Sequence, residues 1–124
     1  MTPQALLRPA LCAAALFNLG AALAFAWPTS IGALAALPAA PPVYTTLVAL
    51  FVLLFGGSYL WLALQPVIHR PLLALGAIGK TTAAVAFTLL WLAGEASLLL
   101  LLGGLGDLAF AALFFSWLRG RSTT

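Results

Sequence analysis

Hydrophobic positions gather into four long blocks, and the polar positions mark the breaks between them. The blocks cover roughly residues 9–27, 44–67, 72–93 and 96–118. A helix that crosses a bilayer needs about 20 consecutive apolar residues, within a range of about 17–25, and each block has that length. The runs are continuous, whereas the strands of a membrane barrel alternate over about 10 residues. The pattern therefore predicts four helices.

The breaks carry helix-stopping residues. Pro28 follows the first block, and Pro38, Pro41 and Pro42 precede the second. Proline removes a backbone donor and restricts the residue before it. Residues 28–43 thus read as an uncharged, partly apolar loop lying at the membrane interface. Residues 65–71 form a tight turn bounded by Pro66 and Pro71, and Gly94 with Glu95 makes the last turn. So short a turn predicts a close antiparallel hairpin from the third and fourth blocks, with the third helical through Gly79 and Lys80.

Composition sharpens this picture. Of 124 residues, 65% are hydrophobic and 6% charged, against about 45–50% apolar and about 25% charged in soluble domains. A water-soluble globule, a disordered chain, a coiled coil and a soluble enzyme are excluded. The net charge of +3 rests on five basic and two acidic residues, too few for a nucleic-acid footprint. The length suits one domain, residues 1–124. The expected fold is all-α: a polytopic membrane protein built as an antiparallel bundle of four transmembrane helices.

The basic residues orient it. Arg8 precedes the first block, His69 and Arg70 lie between the second and third, and Arg119 and Arg121 follow the fourth. The other two connections hold no Lys or Arg, and Glu95 is their only charge. The positive-inside rule then puts both termini and the middle turn in the cytoplasm. Trp27 and Trp91 fall near the outer ends and Trp61 and Trp117 near the inner ends, where aromatic anchors sit. Ala24-Phe25-Ala26 resembles a signal-peptidase site, but one Arg8 is a weak basic region and the apolar run is long, so the first block is expected to stay. Small loops, Ala/Leu-rich spans and no retention signal point to a bacterial inner membrane. The single cysteine, Cys12, permits no intrachain disulfide and is expected to be a buried, inert thiol.

Ionisable side chains inside a bilayer are costly and mark either function or pairing. Lys80 and Asp107 are the two charges within the blocks. At about 1.5 Å per residue, Lys80 lies roughly 12 Å and Asp107 roughly 16 Å from the cytoplasmic end. Asn18 falls at roughly 14 Å and Tyr59 at roughly 12 Å, with Ser58, Thr81 and Thr82 nearby in depth. Each helix thus offers polar groups to one layer. Residues three and four apart share a helix face, which aligns Asn18 with Ala14, Ala15, Ala21 and Ala22, Lys80 with Gly76, Ala77, Ala83 and Ala84, Asp107 with Gly103, Gly104 and Ala111, and Gly56 with Ala49, Val52, Tyr59 and Ala63. Small-residue stripes let helices approach closely in lipid, leaving the bulkier Leu and Phe mainly for the lipid face.

Two readings of the layer stand side by side. Lys80 and Asp107 neutralise each other and hold the last hairpin in register, with Asn18 and Tyr59 completing the hydrogen bonds. Alternatively, Asn18, Tyr59, Lys80 and Asp107 line a small polar cavity or pathway for a proton, an ion or a small molecule.

Other chemistry is missing. His69 and Cys12 are the sole residues of their types and differ in depth, so no metal site or cofactor is expected. No Gly-x-Ser-x-Gly motif occurs, and Gly76, Gly79, Lys80 and Thr81 have the wrong spacing for a phosphate-binding loop. Small multidrug-resistance exporters and fluoride channels share the length and span number. The exporters carry a glutamate in the first span, where this chain has no acid. The channels carry an asparagine in span two and a phenylalanine pair in span three, where this chain has no asparagine and only Phe87. No role is carried over from either. The expected function is that of a non-enzymatic integral membrane protein, accessory or small-ligand-binding. The alternative is a homo-oligomeric transporter or channel using Lys80 and Asp107. The lipid bilayer is the expected partner, with a homo-oligomer or larger membrane complex possible and no nucleic acid.

Overall fold

The computed structural model describes residues 3–120. Four helices follow one another: α1 (Pro3–Ala26), α2 (Pro42–Leu64), α3 (Arg70–Leu92) and α4 (Leu98–Gly120), with a 3-10 turn at Ile31–Ala35 between the first two. No strand occurs among the described residues. All four helices are long and apolar enough to cross a bilayer. Arg121, one of the orienting arginines, lies outside the described residues.

The helix ends differ from the hydropathy blocks for local reasons. α1 begins at Pro3 and runs straight through Pro9, although a proline past the first turn forfeits a backbone bond. Tertiary contacts hold that turn. Leu7 and Leu11 are buried, and the Arg8 guanidinium donates to the carbonyls of Ala63 at 2.7 Å and Gln65 at 2.6 Å. Those carbonyls belong to the unsatisfied C-terminal end of α2, so Arg8 caps one helix while pinning another. α2 stops at Leu64, because Pro66 pushes Gln65 into extended backbone. α3 starts at Arg70, where His69 Nδ1 accepts from the Leu72 N–H at 3.2 Å. His69 is thus an N-cap.

α3 ends on Gly94, whose φ of +78° suits the left-handed position after a helix. The Glu95 N–H then returns to the Leu90 carbonyl at 2.8 Å. Ser97 caps α4 by accepting from the Leu100 N–H at 3.1 Å, and its hydroxyl donates to the Ala35 carbonyl at 2.6 Å. The long first loop is thereby tied to the start of α4.

The bundle is two hairpins, α1–α2 and α3–α4. Each has an extensive internal interface; α1 packs on α4 to join them, and α2 touches α3 only slightly. Gly56 enables the first hairpin. A methyl group there would come within 2.9 Å of Asn18 Cβ, so only glycine lets α2 lie this close to α1 at that level.

Packing is uneven along the bundle. Where α1 and α3 begin and α2 and α4 end, Leu7, Leu11, Ala14, Leu62, Leu73, Ala77, Phe114 and Trp117 make a continuous buried core. The outer surface carries exposed Leu16, Leu54, Val67, Leu89 and Leu92 among many others, a distribution compatible with a membrane protein. Two expectations about this surface change. Trp27, Trp61 and Trp91 are exposed, but Trp117 is buried beneath Arg70, whose guanidinium sits 5.3 Å from its ring. Cys12 is exposed rather than buried, because α1 turns Leu11, Ala14 and Asn18 inward and Cys12 falls off that face.

Candidate functional site

The four polar residues singled out by depth meet at one level. Lys80 Nζ donates to Asp107 Oδ1 at 2.6 Å and to Asn18 Oδ1 at 3.1 Å. The Asn18 amide donates in turn to the Val52 carbonyl at 2.9 Å. One chain of hydrogen bonds therefore links α4, α3, α1 and α2. Lys80 is 3% exposed and Asp107 8%, so the pair is held away from bulk solvent. α3 stays helical through Gly79 and Lys80, and the two side chains face each other across the α3–α4 hairpin.

Tyr59 takes a different part from the one its hydroxyl suggests. The hydroxyl donates to the Gly76 carbonyl at 3.4 Å, at the long limit of a hydrogen bond. Its ring is closer to the chemistry. The Lys80 ammonium lies 5.0 Å from the Tyr59 centroid and 5.1 Å from those of Phe17 and Phe110. These distances fall within cation–π range, so the ammonium sits among aromatic rings as well as on a carboxylate. Ser58, Thr81 and Thr82, close in depth, donate back to carbonyls of their own helices, Leu54, Ala77 and Ile78, and take no part.

A cavity of about 270 Å³ lies on the side of this layer away from the packed core. Asn18, Lys80 and Asp107 form its polar floor, with Tyr59 beside them; its walls include Phe25, Phe51, Phe55 and Phe87, with Gly79, Ala83 and Gly103 making the space. Phe51 is 60% exposed and stands at the rim on α2, which touches α3 only slightly. The bundle is therefore solid at the Arg8 end and hollow toward the Glu95 end, with the charge pair at the boundary.

The phenylalanines correct the expectation that bulky residues mainly face lipid. Phe17, Phe55, Phe87, Phe110 and Phe114 are at least partly buried; Phe17 packs edge-on to Phe110 at 5.9 Å and Phe25 stacks on Phe87 at 6.5 Å. Spacing held the signal. Phe110 is three residues from Asp107, Phe55 four from Tyr59, and Phe25 and Phe87 are seven from Asn18 and Lys80, so each shares a face with a polar residue.

Among the described residues, no group of His, Cys, Asp and Glu could hold a metal ion. No protein-family model, curated protein or solved structure matches the chain.

Proposed function

We propose that this chain is a non-enzymatic, multi-pass membrane protein that binds a small, largely apolar molecule in the cavity above the Lys80–Asp107 pair. One observation carries the reading: an aromatic-walled space, open on one side, ends on a buried polar floor. Mostly apolar walls with a few convergent polar groups are the usual composition of a small-molecule site. Embedded in an inner membrane with the Arg8 end cytoplasmic, the cavity would face the outer half of the bilayer and draw its ligand from lipid or from the outer aqueous side.

The transport reading asks more of the fold. A route past Lys80 toward the Arg8 end would have to part the Leu11, Leu62, Leu73 and Phe114 core, all fully buried, and to break a buried 2.6 Å ion pair. Binding needs neither. An accessory role beside a larger membrane complex is compatible with it, since the exposed apolar faces of all four helices remain available.

The test is purification into lipid nanodiscs followed by mass spectrometry of retained small molecules. A Cβ at Gly103 meets nothing within 4 Å, and Gly103 lines the cavity, so a side chain has room to begin there and Gly103→Leu is the variant chosen to occupy the space. A neutral apolar compound should be retained at about one per chain by the wild type and be lost from Gly103→Leu. Equal retention by both would sink the reading.

A further inference from the structure

Hydrogen-bond accounting at the cavity floor leaves one strong acceptor open. Asp107 Oδ1 is taken by Lys80 at 2.6 Å. The second carboxylate oxygen, Oδ2, accepts from no group among the described residues. Yet no fully buried side-chain oxygen or nitrogen lacks a partner among them, so Oδ2 must reach accessible space, and the space that Asp107 lines is the cavity. The neighbouring donors are better occupied. Lys80 Nζ spends two of its N–H groups on Asp107 and Asn18 and is flanked by the rings of Phe17, Tyr59 and Phe110. The floor therefore offers a charged acceptor, and the walls offer rings and aliphatic carbon.

Resting on the ligand-binding reading above, we propose that the occupant is a neutral apolar alcohol or phenol. Its hydroxyl donates to Asp107 Oδ2, and its body packs among Phe25, Phe51, Phe55 and Phe87. Charge balance selects neutrality: Lys80 and Asp107 already sum to zero, and an ionic ligand would bring an uncompensated charge among mostly apolar walls. Size selects a compact molecule. At about 30 Å³ per water, 270 Å³ corresponds to roughly nine waters, the bulk of a substituted phenol or short-chain alcohol. A donor is selected over a bare ether or hydrocarbon because a carboxylate oxygen covered by an apolar ligand without a donor forfeits its hydration.

The probes are para-propylphenol and its methyl ether, which share a body and differ in the donor. Each is titrated against the chain in phosphatidylcholine nanodiscs at matched bilayer mole fraction, and affinity is read from the rise of the thermal unfolding midpoint. Wild type should bind the phenol at least about tenfold more tightly than the ether. Gly103→Leu should lose both, and the Lys80→Met/Asp107→Leu variant should bind the two about equally. The phenol, and not the ether, should also shift the carboxyl carbon resonance of Asp107 in the wild type, a readout that needs no variant to fold. Equal binding of both probes by wild type overturns the hydroxyl assignment and leaves the cavity reading standing. A preference that survives in the double variant, or an unmoved carboxyl resonance, overturns the role of Asp107. Failure of both probes to bind overturns the cavity reading and this inference together.

Discussion

Asn18 on α1 accepts a hydrogen bond from Lys80 on α3 at 3.1 Å, and it is this contact that carries the buried charge pair of one hairpin into the other. Because the Asn18 amide also donates to Val52 on α2, a single side chain ties three helices. Asn18→Leu keeps the volume and removes both bonds. It should destabilise the bundle by about 1–3 kcal/mol, since Lys80 keeps its charge with one acceptor fewer. Reversible unfolding in mixed micelles measures this, and no change relative to wild type would show that the hairpins are held by apolar packing alone.

The Lys80–Asp107 pair should behave as a unit. Removing one partner strands a buried charge, at a cost of about 3–5 kcal/mol, whereas replacing both by apolar groups of similar size is often neutral. Lys80→Met and Asp107→Leu should each lower the folded yield, and the double variant should recover most of it. A double-mutant cycle gives the coupling directly. Additive, harmless singles would mean that the 2.6 Å contact contributes nothing to the fold.

Adjacent glycines on α2 should respond with opposite signs. A methyl at Gly56 meets Asn18 Cβ at 2.9 Å, while one at Gly57 meets nothing within 4 Å. Gly57→Ala should stabilise by up to about 1 kcal/mol through helix propensity. Gly56→Ala should destabilise by about 1–3 kcal/mol, because α1 must move away from α2 and loosen Asn18. The same unfolding assay separates them; a stabilised Gly56→Ala would show that α1 gives way at no cost.

Topology is testable by labelling. In a Cys12→Ala background, cysteines introduced at positions 36 and 95 should react with an impermeant thiol reagent added outside intact cells, and one at position 69 should not. Labelling at 69 with protection at 36 would reverse the orientation argued from Arg8, Arg70 and Arg119.

Helix number and the Lys80–Asp107 encounter were legible in the one-dimensional pattern, for a physical reason. A long apolar run has one good solution for its backbone groups, and a fixed rise per residue converts sequence position into depth. Two opposite charges at matched depth on a short hairpin then have little choice but each other. Asn18 was readable as a member of the layer in the same way, though its bond to the Val52 carbonyl was not, because helical carbonyls look alike in sequence. Local ends were harder. Pro9 reads as a boundary, yet Leu7 and Arg8 hold the turn before it helical through contacts with residues more than fifty positions away. Only tertiary structure decided where the bundle is solid and where it is hollow. Spacing puts Phe25, Phe55, Phe87 and Phe110 on the faces of the polar residues, but it leaves open whether those faces close tightly or enclose a cavity. What separates the two is how far α2 stands from α3, and that distance is set by two hairpins that each pack tightly within themselves and leave the seam between them partly unfilled.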